Sequence, residues 1–137
     1  IAVTNDGDLI VIPEGSTEPV ITSPPVIVGT EKVWYTLGAI AGGVTGSPTP
    51  IRSWQWQRSP NGLTWTNIDG AIAATYTIVT ADAGQRLRVQ QIETNVLDSV
   101  TSSSDPTGVV AASVFSDTIY QDIAPVTWGQ LTVQTWD

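Results

Sequence analysis

The side chains of this sequence that could do chemistry are carboxylates, hydroxyls, three tyrosines and five cations; it has no cysteine and no histidine. Without histidine, the commonest general base and the usual zinc or iron ligand are gone. Without cysteine there is no thiolate nucleophile, no thiolate metal site and no disulfide, and the chain suits any redox compartment. A carboxylate pair of the glycosidase kind is what remains for catalysis. The acids fall largely in loops and flanks, and no pair sits at a telling spacing on one strand face. No catalytic residue is nominated, no enzyme is expected and no cofactor is called for. Calcium needs clustered oxygen ligands. Asn5-Asp6-Gly7-Asp8 is the one such cluster, and a run of this kind is more often a plain turn, so no metal is expected.

Six tryptophans in 137 residues raise a second chemistry, stacking on sugar rings. It needs exposed, coplanar rings. Trp54, Trp56 and Trp65 instead read as core, and Trp34 as structural. Trp128 and Trp136 suit a subunit interface, where tryptophan is a frequent hot spot.

Charge is segregated. All five basic residues, Lys32, Arg52, Arg58, Arg86 and Arg88, lie between positions 32 and 88, with only Asp69 and Asp82 among the acids. The flanks on both sides carry acids alone, and the net charge is −8. The plain reading is solubility. The sharper one is head-to-tail contact, acidic flanks docking on a neighbour's middle. An acidic chain does not suit nucleic acid, which needs a basic face. No apolar run approaches transmembrane length, and no signal peptide is visible. A start at Ile1 is expected of a processed product, a fragment or part of something longer.

The elements that must position these residues are strands. Charged residues are 13% of the chain, against about 25% in an average domain, so strand surfaces must be uncharged and polar. Pro and Gly are scattered, and β-branched or aromatic runs recur about every ten residues, the pattern of a sandwich or barrel. Residues 8–12 form a short run stopped by Pro13-Glu14-Gly15-Ser16. Residues 19–28 contain Pro24-Pro25 and predict an edge strand that breaks or switches sheets there. Residues 32–40 predict a strand. Residues 51–58 (IRSWQWQR) put Trp54 and Trp56 on one face and Ser53, Gln55 and Gln57 on the other. Ser59-Pro60-Asn61-Gly62 predicts a hairpin turn, and residues 63–68 return. Residues 74–79 place Tyr76 and Ile78 inward. Ala81-Asp82-Ala83-Gly84 predicts a tight corner, Asp82 capping local amides and Gly84 taking a left-handed φ. Residues 86–94 place Leu87 and Val89 inward. Ile92 breaks that parity, which predicts a bulge near Gln90-Gln91. Residues 98–103 close the unit.

Residues 20–104 resemble the bacterial and phage immunoglobulin-like repeat. The resemblance rests on Trp54-Gln55-Trp56-Gln57-Arg58-Ser59, Asn61-Gly62-Leu63-Thr64-Trp65, Gly70-Ala71-Ile72-Ala73-Ala74-Thr75-Tyr76-Thr77 and Ala81-Asp82-Ala83-Gly84-Gln85-Arg86-Leu87-Arg88-Val89, in that order. It implies an all-β fold, an immunoglobulin-like β-sandwich over 19–108, without the inter-sheet disulfide of antibody domains. Strand-forming extensions then occupy 1–18 and 109–137. The implied core is Trp54, Trp56, Trp65, Tyr76, Ile78, Leu87 and Val89.

Such repeats serve as spacers, display or adhesion modules, mostly in phage virions and bacterial surface proteins. The resemblance therefore implies a non-enzymatic structural or interaction protein at a virion surface, or alternatively an extracellular or bacterial cell surface. The strand-prone C-terminal stretch would be an aggregation hazard if exposed. Strand addition to a neighbour is expected, with Val114, Phe115, Val126, Trp128, Leu131, Val133 and Trp136 as the candidate interface. The alternative is an intramolecular hairpin, Asp117–Val126 crossing back to Leu131–Trp136. Expected partners are a second copy or other virion or surface subunits, with a host-surface glycan as the competing reading.

Overall fold

A computed structural model of the chain describes residues 2–3, 7 and 9–113. The candidate interface residues Val114, Phe115, Val126, Trp128, Leu131, Val133 and Trp136 lie outside them, as do Asn5, Asp6 and Asp8. At the N-terminus β1 (Ala2–Val3) pairs antiparallel with β2 (Leu9–Ile10).

The first layer grows from a kinked hairpin. β3 (Thr17–Ile21) and β4 (Val26–Val28) form one arm, interrupted at Ser23-Pro24-Pro25. β5 (Thr36–Ile40) and β6 (Val44–Ser47) form the other. The register runs Val28↔Gly38, Val26↔Ile40, then Ile21↔Val44 and Val20↔Thr45. The prolines supply no ladder donors, so pairing passes from one short sheet to the next as the sequence predicts. At the kink the two arms touch: a Cβ on Gly42 would fall 1.7 Å from the Ser23 carbonyl oxygen, a place only glycine can fill. β9 (Thr75–Thr77) extends this layer beside β5.

The second layer has strand order β11 (Ser99–Ser103), β10 (Arg86–Thr94), β7 (Ile51–Ser59), β8 (Thr66–Asn67). Its pairs are all antiparallel. Val33, Leu37 and Ile78 meet Trp56, Leu87 and Val89 in one buried cluster that also takes in Ile68, Ala71 and Val110. The protein is all-β, in an arrangement consistent with a β-sandwich.

Four local expectations change. β7 and β10 stay in register from Arg86↔Ser59 to Thr94↔Ile51, with no bulge at Gln90-Gln91. Parity instead carries on unbroken, so Gln91 and Glu93 follow Leu87 and Val89 inward. Ile92 pairs with Ser53 on the other face. The predicted strand over 32–40 begins only at Thr36, because residues 32–35 form a turn. Of residues 63–68, only Thr66–Asn67 pairs as strand.

The fourth change concerns where the body stops. After β11 the chain keeps following β10 irregularly. Ser104 and Thr107 donate their N–H groups to the Val89 and Leu87 carbonyls at 2.9 and 2.8 Å. Their hydroxyls accept the returning Val89 and Leu87 N–H groups at 3.0 and 2.9 Å. Side chains thus stand in for ladder carbonyls around Pro106, and buried amides stay satisfied. Val110 then enters the core. The body runs past residue 108, into the stretch assigned to the extension.

Candidate functional site

The Asp82 corner is the most connected polar feature. A short 3-10 turn, Thr80–Asp82, carries the carboxylate into the interior, fully buried. Its Oδ2 accepts the Val79 N–H at 2.9 Å and the Tyr76 hydroxyl at 2.7 Å. Its Oδ1 has no hydrogen bond but faces Arg58 Nη1 at 3.3 Å, an ion pair. Gly84 closes the corner at φ +78°. Tyr76 also stacks on Trp56, with ring centroids 5.6 Å apart, and Trp56 Nε1 donates to the Ala73 carbonyl. Burial, and then the bond to Asp82, push the Tyr76 hydroxyl pKa above its ordinary value. The Asp82 carboxylate is fully buried and has no exposed surface on which a substrate could land. Its work is to tie β9, the corner and β7 together.

A second polar cluster escapes the sequence reading. Glu93 is 1% exposed, yet it faces the interior with Gln91. Arg52, directly across in register, pairs with its carboxylate. Gln91 donates to Glu93 at 2.8 Å and accepts the Gly42 N–H at 2.7 Å, joining the two layers. The cross-strand partner made burial of Glu93 possible. Register, which the sequence does not display, was the missing signal.

Trp65 is not core. It is half-buried on the outer face of the second layer, covered by Arg88, whose guanidinium carbon lies 4.4 Å from the ring centroid. Arg88 Nε donates to Gln57, and Gln57 donates to Asn67, at 2.6 and 2.7 Å. Burial holds the Arg88 pKa below its ordinary value. The alternation that turns Leu87 inward turns Arg88 outward, and Trp65 packs where that side chain lies. Of the remaining predicted core, Trp56, Ile78, Leu87 and Val89 are buried, while Trp54 and Tyr76 pack half-buried against the cluster.

Trp34 departs furthest from expectation. The Tyr35 N–H donates to the Lys32 carbonyl at 3.0 Å, closing a four-residue turn. Trp34 sits at its third position with φ +75°, while Val33 before it has a negative φ. That is type II geometry, which calls for glycine or asparagine at this position. A side chain there costs about 1–2 kcal/mol. Neighbours hold the conformation in place. Trp34 N–H donates to the Ile78 carbonyl, and Ile78 N–H donates to that of Tyr35, each at 2.9 Å. The indole is 58% exposed and Tyr35 49%. Among the described residues, Trp34 is the one exposed tryptophan.

The last described residues lie beside this same turn. Ala111 bridges Lys32 in parallel, accepting the Val33 N–H and donating to the Glu31 carbonyl. Val26, Val28 and Ile40 make an exposed apolar face on the first layer nearby in sequence and register. Among the described residues, no three metal-ligating side chains converge, and no helix is long and apolar enough to cross a membrane. Of the five cations, Arg52 and Arg58 are committed to Glu93 and Asp82. A scan against protein-family models found no match, and neither did a search of curated proteins.

Proposed function

We propose that the protein is a non-enzymatic assembly module, an immunoglobulin-like subunit of a phage virion or of an extracellular surface structure, joined to neighbours through its terminal strands. The observation that carries this reading is the anchoring of Val110 and Ala111. Val110 is core, and Ala111 is bonded on both sides to the 31–33 segment. The strand-prone residues that follow therefore start from a fixed point at one end of a packed body, beside exposed aromatic surface. Such a segment is suited to strand addition.

The immunoglobulin-like part of the reading draws support from the partition of strands. One layer is the kinked hairpin plus β9; the other is β11-β10-β7-β8. A central buried tryptophan on β7 and a tyrosine–aspartate corner before β10 accompany it. Internal pairing of Arg52 and Arg58 narrows the head-to-tail charge contact to Lys32, Arg86 and Arg88. The competing glycan reading needs coplanar exposed tryptophans, and Trp65 already has Arg88 over its ring.

The full chain should associate reversibly in sedimentation experiments, and Trp128→Asp in the C-terminal stretch should abolish association while leaving the unfolding midpoint in place. Monomers at every concentration, together with binding to immobilised glycans, would replace this reading with the glycan one.

A further inference from the structure

The reading of the C-terminal stretch as an assembly arm leaves open what receives it. We infer that the receiving site is the aromatic turn Lys32–Tyr35 of a second copy, with Trp34 as its anchor. The inference rests on that reading and adds the partner surface.

Three observations point there. The first is the backbone of Trp34. A bulky residue at φ +75° is an outlier that persists only where its surroundings hold it. Here the surroundings do so with backbone bonds to Ile78, and the product is an indole in solvent. The backbone of the turn does not require that ring, since glycine would serve it better.

The second is where the chain goes. Ala111 bridges Lys32 in parallel, bonded to Glu31 and Val33, so the last described residues lie beside the turn. A second copy facing this turn across a two-fold axis brings its own turn close to the point where residues 114–137 begin. Two such bodies exchange arms through one isologous contact.

The third is chemical fit. Residues 114–137 carry Asp117, Asp122 and Asp137 and no cation, amid Val, Ile, Leu, Phe and Trp. The turn offers Trp34 and Tyr35 with Lys32 alongside, its ammonium 6.0 Å from the Tyr35 ring centroid. Lys32 has no ion-pair partner among the described residues. The one acid next to it, Glu31, turns its carboxylate to the Gly108 N–H at 3.1 Å. Exposed tryptophan and tyrosine are efficient anchors for an apolar segment of this kind.

The test is made on the full chain. Trp34→Gly should raise the unfolding midpoint by roughly 5 °C, because the turn is relieved, and should weaken association at least tenfold. Trp34→Asn, also tolerant of positive φ, should behave alike and guards against an effect peculiar to glycine. A photo-crosslinking residue in place of Trp34, in a mixture of isotopically light and heavy chains, should give light–heavy cross-links into residues 114–137. If Trp128→Asp abolishes association while Trp34→Gly leaves it unchanged, the arm assembles elsewhere and this inference falls, with the assembly reading intact. Cross-links confined to one chain would place the arm at home and overturn the exchange. A full chain that is monomeric at all concentrations would remove the assembly reading and this inference with it.

Discussion

Trp56 is the residue on which the core turns. It is fully buried, bonded through its indole N–H to Ala73, and stacked on Tyr76. Trp56→Ala should lower stability by about 3–5 kcal/mol in urea unfolding; an unchanged midpoint would contradict its place between the layers. Tyr76 gives the fold a pH limit. Its folded pKa lies above the unfolded value of about 10, so the folded state holds the proton more tightly. The contribution is complete below about pH 10 and is lost as pH climbs from there towards the folded value. Tyr76→Phe should flatten that alkaline fall. It should also cost about 1–3 kcal/mol at neutral pH, since Asp82 loses a donor. An alkaline limb as steep in the variant as in the wild type would place the titrating group elsewhere.

At the scale of elements, the second layer ends in an improvised strand. Ser104 and Thr107 complete β10's hydrogen bonding with their hydroxyls, and Val110 finishes the core. Thr107→Val keeps the shape but orphans the buried Leu87 N–H, and should cost about 1–3 kcal/mol. Ending the chain after Gly108 rather than after Ser113 should cost at least about 3 kcal/mol, from Val110 burial and its backbone bonds. Equal midpoints for the two truncations would show that residues 109–113 do not belong to the body.

These elements also show what was legible in the sequence. Two-residue alternation around Trp54 and Trp56 announced the central strand, and Pro24-Pro25 announced the sheet switch. Asp82 and Gly84 announced the corner. Polarity misled at Glu93, where strict alternation points inward: a charge is expected to face outward, and nothing in the chain order shows Arg52 waiting opposite. The bulge expected at Gln90-Gln91 was the price of keeping Ile92 inside. Trp65 and Trp34 misled for a related reason. Hydrophobicity alone does not tell a ring in the core from one under an arginine or on a turn tip. That takes register and backbone angles.

At the scale of the molecule, the body is acidic and uncharged-polar on its strands, with cations spent largely on internal partners. Exposed apolar residues occur singly, as at Leu63 and Ile72, and together on the Val26, Val28 and Ile40 face and at the aromatic turn Trp34-Tyr35, beside which the last described residues lie. That distribution suits a module that packs as a unit and joins others through its ends. Light scattering of the full chain and of residues 1–113, over a wide concentration range, tests this claim most directly. A folded monomer is expected for 1–113 and a concentration-dependent oligomer for the full chain. Folded monomers in both cases, or equal association in both, would contradict it.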